Sequence, residues 1–147
     1  MTKEDISSKI SKEGIPAVKG LFTWPTDKPQ LIASRCRNCG TYHFPKISTC
    51  SNPFCDDKEN VEEVLLSTRG KLWSYTIHYF NPPPPAYMRA PYAIGLVELP
   101  EGIKVLGMLT TIENLKVGME VELVVDELYV DEKGNKYLTW KFKPITE

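Results

Sequence analysis

The residues best equipped for chemistry are the chain's four cysteines, spaced Cys36-x2-Cys39 and, ten residues on, Cys50-x4-Cys55. A Cys-x2-Cys turn reverses the chain, so both sulfurs can reach one ion, and Gly40 directly after it supplies the open dihedrals such a knuckle wants. A second pair on a facing knuckle completes a tetrahedral sulfur site, which suits zinc, with iron as the chemical runner-up. The second pair is wider, and Asn52-Pro53-Phe54 lies in its loop. Four free buried thiols, or disulfides, are the competing readings. His43 is nearby, but four cysteines already satisfy an ion, so an exposed or packed histidine is expected. Four thiolates leave no open position for water or substrate, so the expected Zn2+ is structural, not catalytic.

Outside the cysteines, catalytic signals are sparse. His43 and His78 lack a neighbouring serine or cysteine nucleophile motif. His78 alternates with Ser74 and Thr76, which suits a half-exposed strand residue or the wall of a polar groove. The run Pro82–Pro85 favours a stiff polyproline segment that presents Asn81 and Ala86–Met88 at little entropic cost. Tyr87, Arg89 and Tyr92 flank it. Arginine pairs bidentately with phosphate and tyrosine stacks on adenine, a combination suited to CoA. A loop stiffened to pack against a protein partner is the equal alternative. Arg69 and Lys71 open a strand and could also meet phosphate, although solvated surface charge is the commoner fate of such residues.

These residues need elements to hold them. The chain has 147 residues, 41% of them hydrophobic, enough for one ordinary domain or two small ones. Residues 1–30 read as an N-terminal helical arm: Thr2 caps, Ile6 and Ile10 share a face, and Gly14 and Pro16 stop it. One such turn-pair cannot stand alone in water and must dock, on its own core, a sister subunit or a partner. Residues 31–66 carry the metal knuckles. Residues 67–147 read as five strands, at 71–80, 92–99, 103–111, 120–129 and 136–142. In the first, Trp73, Tyr75, Ile77 and Tyr79 are expected on one face. Gly95 and Gly107 inside strands are expected to mark bulges or bends that curl the sheet. The fold class is therefore mostly β: a helical N-terminal segment, a zinc ribbon, then a five-stranded OB-type barrel. The start of the chain is too polar for a secretory signal and no apolar run could span a bilayer, so a cytoplasmic protein is expected.

The order of Arg35-Cys36-x2-Cys39-Gly40, Pro45, Cys50 and Cys55, then Gly70-x-Leu72-x-Ser74-Tyr75-Thr76, resembles a known family. The likeness continues through Pro82–Pro85, Pro91-Tyr92, Val97-Glu98-Leu99, Glu101-Gly102 and Gly118-Met119-x-Val121. The family comprises small prokaryotic proteins with N-terminal helices, a rubredoxin-like zinc ribbon and an acyl-CoA-associated OB-fold. The resemblance implies a non-enzymatic scaffolding subunit that binds acyl-CoA and pairs with a thiolase-type enzyme. In archaeal relatives it bridges an acetoacetyl-CoA thiolase and a hydroxymethylglutaryl-CoA synthase, helping to form a shared CoA site. The chain departs from the pattern at the wide Cys50/Cys55 pair and at Lys46.

A nucleic-acid-binding module is the competing reading, since ribbons and OB barrels both serve that role. Charge weighs against it. The chain carries 18 Lys+Arg against 19 Asp+Glu, and Glu120, Glu122, Asp126, Glu127, Asp131 and Glu132 crowd the last two strands. A thioester-cleaving enzyme is a third, weaker option.

Overall fold

Alternating apolar residues in the second half of the chain have one stable outlet, a sheet that buries one face by curling on itself. In the computed structural model, which describes residues 14–82 and 89–145, nine strands follow in order. They are β1 (Ile15–Pro16), β2 (Ile32–Cys36), β3 (Tyr42–His43), β4 (Val61–Leu65), β5 (Arg69–His78), β6 (Tyr92–Glu98), β7 (Lys104–Leu109), β8 (Glu120–Val130) and β9 (Lys136–Pro144). The strands β8, β5, β6, β7 and β9 neighbour one another in that order, and β9 pairs back onto β8. This closes a five-stranded barrel. The β7–β9 contact is parallel, joining Met108 to Lys141 and Leu109 to Phe142. The other barrel pairings are antiparallel. β1 lies parallel to the start of β9.

The inner face carries Leu72, Ala93, Val97, Val105, Val121, Leu123 and Phe142, all buried. In β5 the expected alternation fails partway. The register with β6 shifts between Leu72 and Ser74; before the shift Leu72 is fully buried and Trp73 is 54% exposed. Past this bulge the inward parity changes, and Ile77, opposite Ala93, packs against the core. A bulge inserts one residue and so moves every later side chain to the other face. Gly95 and Gly107 are not bulges. They pair with each other in register. A Cβ on Gly95 would sit 2.7 Å from Leu72 Cδ1, and one on Gly107 2.8 Å from the Phe142 ring. These glycines make room for large core side chains to cross the barrel.

The expected helix over residues 2–10 lies outside the described residues. The rest of that arm, residues 14–30, is not helical. It contributes β1, and Phe22 bridges to Leu31. Phe22 is 5% exposed. Burying that ring requires an extended chain laid on the core rather than a free-standing turn.

The ribbon sheet, ordered β3-β2-β4, is welded to the barrel. Leu31, Ala33 and Leu66 belong to the same apolar cluster as the barrel residues. Phe44 meets Trp140 edge-on, centroids 5.4 Å apart. Glu101, in the β6–β7 turn, accepts hydrogen bonds from the Ser67 backbone N–H and hydroxyl, and the Gln30 side-chain amide donates to the Leu66 carbonyl. The base of the ribbon thus shares the barrel's core, whereas its tip has only a small cluster of Cys36, Cys50 and Cys55 with Val61 against it.

Because the crossing at Gly107 has no room for a methyl group, Gly107→Ala is expected to lower unfolding stability by roughly 1–3 kcal/mol. Urea denaturation measures it; an unchanged midpoint would show that Phe142 and Trp140 yield freely.

Candidate functional site

β2 delivers Cys36 to the ribbon tip, and the turn after it brings Cys39. The Gly40 N–H donates to the Cys36 carbonyl at 2.8 Å and the Cys36 N–H to the Thr41 carbonyl at 2.9 Å, which closes the first knuckle. Gly40 has φ +80°, a left-handed value that glycine adopts without strain. In the second knuckle the wide loop is closed by the Cys55 N–H on the Asn52 carbonyl. All four sulfurs lie within 4.8 Å of one another. The pairs Cys36–Cys55 and Cys39–Cys50 are each 3.6 Å apart. A tetrahedron with metal–sulfur bonds of about 2.3 Å has edges of about 3.8 Å, so the cluster fits one ion. A disulfide would need about 2.05 Å, and the four thiols are free. The cysteines therefore form a tetrathiolate metal site, consistent with structural zinc. His43 stands apart. Its Nδ1 pairs with the Ser51 hydroxyl at 3.1 Å.

Neighbouring polar groups prepare the sulfurs for charge. The Thr41 hydroxyl, 3.1 Å away, and the Thr41 backbone N–H hold the Cys39 thiol down at about 5. The Asn38 side-chain amide donates to the Cys55 sulfur at 3.4 Å. The Asn52 backbone amide pulls the Cys50 thiol down, but burial and the other three sulfurs outweigh it and lift the thiol to about 11. Without an ion the cluster thus tolerates a thiolate at Cys39 and resists one at Cys50. A bound cation removes that resistance by neutralising the charge.

The other sequence-selected residues fall into two groups at opposite ends of β5, a strand that spans roughly 25–30 Å. Arg69 and Lys71 line a cavity of about 390 Å³ with Glu98, Leu99 and Glu120, and Arg69 pairs with Glu122 at 3.8 Å. Their charge is answered locally. Arg89 and Tyr92 line a larger cavity of about 780 Å³ at the other end. His78 lies opposite Tyr92 across β5–β6, and the rings stack at 4.7 Å with planes 1° apart. His78 Nε2 is buried with no hydrogen-bond partner among the described residues. The Asn81 side-chain oxygen accepts the Ala90 N–H at 2.7 Å. Tyr87 lies outside the described residues.

Among the lining residues that sequence reading did not select are Met108 and Lys141. They meet through the parallel β7–β9 register, a long-range pairing that no local pattern records. The Lys141 side chain is only 15% exposed, with Asp126 at 3.5 Å. Arg89 and Lys141 bring positive charge to the cavity and Glu113 and Glu127 negative charge, while Tyr92 gives it a ring and Met108 an apolar wall.

Comparison with known proteins places this architecture. Residues 23–62 match the family model for the ChsH2 rubredoxin-like zinc ribbon domain, and residues 63–126 that for the ChsH2 C-terminal OB-fold domain. A DUF35 domain-containing scaffold protein of Methanocaldococcus jannaschii is 37% identical, over 78% of this chain and 82% of its own length. Benzoylsuccinyl-CoA thiolase subunit BbsA of Thauera aromatica is 35% identical, over 80% of this chain and 78% of its own. Among solved structures, the Ltp2-ChsH2(DUF35) aldolase superposes with a TM-score of 0.61 at 28% identity, covering 78% of this chain and 84% of that one.

Elemental analysis is expected to find one zinc per chain, and Cys36→Ser to lose both metal and thermal stability. Since the Cys50 proton, held up to about 11, must leave when the ion binds, the apparent zinc affinity keeps rising with pH through neutrality toward that value. A chelator competition that is flat with pH would contradict the tetrathiolate assignment.

Proposed function

The chain belongs to the family that joins a ChsH2-type rubredoxin-like zinc ribbon to an OB-fold domain, and from that premise we propose that it is a non-catalytic scaffolding subunit that binds an acyl-CoA beside a thiolase-type partner enzyme. The observation that carries the reading is the 780 Å³ cavity at the end of the barrel, which brings Arg89 and Tyr92 together. Phosphates need cationic donors, and an adenine ring needs an aromatic face. That pairing, on a chain whose relative is a subunit of a CoA thiolase, fits a CoA ester better than an oligonucleotide. A strand-tracking groove needs an unbroken basic surface. Here Arg69, Lys104, Lys136 and Lys141 each stand beside a carboxylate.

The non-catalytic part of the proposal rests on the chemistry of the sites. A metal held by four thiolates has no free position with which to polarise a thioester or activate water. His78 is stacked on Tyr92, with no nucleophile within its described hydrogen bonds. The chain's contribution is then to hold the CoA moiety and to position it for another subunit's chemistry. A cytoplasmic location accords with the thiol cluster, because reducing compartments keep cysteines available for metal. No described helix is long and apolar enough to cross a membrane.

Native pull-down of the tagged full chain, followed by mass spectrometry, is expected to recover a thiolase-type enzyme. The zinc-loaded chain with its partner should bind CoA, and Arg89→Glu should weaken that binding at least ten-fold without loss of zinc. Acyl-CoA turnover by the isolated chain, or a salt-sensitive affinity for oligonucleotide in place of CoA, would overturn the proposal.

A further inference from the structure

The ribbon tip is short of apolar core, yet the phenylalanine beside its metal cluster is turned away from it. Cys36, Cys50, Cys55 and Val61 make up the described cluster there, while Phe54 is 92% exposed. The wide second knuckle is what carries the ring out. Two residues between Cys36 and Cys39 suffice to bring a pair of sulfurs together, but the Cys50–Cys55 pair has four, with Pro53 and Phe54 in its turn. A single exposed apolar side chain is ordinary on a protein surface. This one stands on a fixed pedestal. Cys50 and Cys55, both buried, pin the two ends of the loop. The Asn52 side-chain oxygen accepts the Phe54 N–H at 3.1 Å. The Asn52 carbonyl accepts from the Cys55 N–H at 3.1 Å and from Lys58 Nζ, and Pro53 fixes the dihedral before the ring. Phe54 therefore has little backbone freedom left to lose when another surface closes on it. Aromatic rings presented in this way are the anchors found at the buried centres of protein interfaces.

The charge around the ring defines the surface it fits. Asp56, Asp57 and Glu59 follow it closely in sequence and are exposed. Asp56 accepts from the Asn38 amide at 2.7 Å, and Asp57 and Glu59 have no ion-pair partner among the described residues. The nearby cations are engaged elsewhere: Arg37 stands beside Glu62, Lys46 beside Glu63, and Lys58 at the Asn52 carbonyl. Four thiolates outweigh the two positive charges of a zinc ion, so the metal-loaded cluster is itself anionic. Such a tip repels polyphosphates and anionic lipid headgroups. It complements an apolar pocket rimmed with lysine or arginine.

Building on the reading of this chain as a scaffolding subunit, we propose that the Cys50–Cys55 loop docks on the partner enzyme, with Phe54 filling an apolar pocket and Asp57 and Glu59 meeting a basic rim around it. The four sulfurs that make the tip's core then also fix the anchor, because two of them end the loop that carries it. The extra width of the second knuckle has its use here: it lifts a ring clear of the cluster without loosening either metal-binding turn. The apolar contact sets the lifetime of the complex, and the acidic residues steer the encounter.

Binding of the zinc-loaded full chain to the thiolase-type enzyme recovered with it is measured by calorimetry, and its association rate at low and high salt by stopped flow. Phe54→Ala is expected to weaken binding about ten-fold or more, and Phe54→Leu to lie between that variant and wild type. Both should keep wild-type zinc content and circular dichroism, since the ring is no part of the tip's described cluster. Salt should slow association, and should do so less when Asp57→Asn is combined with Glu59→Gln. If the enzyme binds wild type and Phe54→Ala alike, or salt leaves association unchanged, the docking loop is wrong while the partner reading stands. Self-association of the isolated chain that Phe54→Ala abolishes would also overturn it, by assigning the ring to a second copy. If no thiolase-type enzyme binds the wild-type chain, the partner reading itself fails and takes the docking loop with it.

Discussion

Four sulfurs held within 4.8 Å of one another are the constraint on which the ribbon tip depends. Three of them are buried, and together with Val61 they are the whole of the tip's described apolar cluster. As thiols they make a poor core, and as thiolates they repel. A cation resolves both problems, because it neutralises the charge and fixes both knuckles at one point. The bonds that prepare this point come from ordinary local structure: the left-handed Gly40, the Thr41 hydroxyl on Cys39, and the Asn38 amide on Cys55. Arg37–Glu62 and Lys46–Glu63 pairs sit on the ribbon surface, where such pairs contribute little. The metal is the tip's core.

What the metal does for the tip, shared apolar packing does for the base. Phe22, Leu31, Ala33 and Leu66 are buried in the same cluster as the barrel strands, so ribbon and barrel share one core at their junction. The barrel in turn fixes the ends of its strands, and the cavity at one end is built from residues that are remote in sequence: Arg89 and Tyr92, Met108 to Glu113, Glu127 to Val130, and Lys141. A closed metal site at one place and an open cavity at another divide the labour. The first supports structure, and the second is free to take a ligand.

The pattern of legibility follows from range. The cysteine knuckles are local and their chemistry is narrow, so spacing alone identified the metal site. The five barrel strands were readable because Val121, Leu123, Leu138 and Phe142 keep a clean alternation. Alternation misled in β5, where the bulge after Leu72 reverses the faces, since a bulge leaves no mark in a run of strand-forming residues. Gly95 and Gly107 were conspicuous but were assigned the wrong reason: the atoms they make room for, on Leu72, Leu109 and Phe142, arrive from distant strands. Lys141 could not be placed beside Met108 for the same cause. Arg69 and Arg89 were both named as possible phosphate donors, and the length of β5 assigns them to different ends.

The barrel end, and not the ribbon tip, is the proposed place of ligand contact on this chain. Hydrogen exchange of the zinc-loaded full chain with its partner, in the presence and absence of CoA, tests this directly. Slowed exchange at residues 89–92 and 108–113 upon adding CoA, with residues 50–55 unchanged, is the predicted result. Protection confined to residues 50–55, or none at the barrel end, would contradict it.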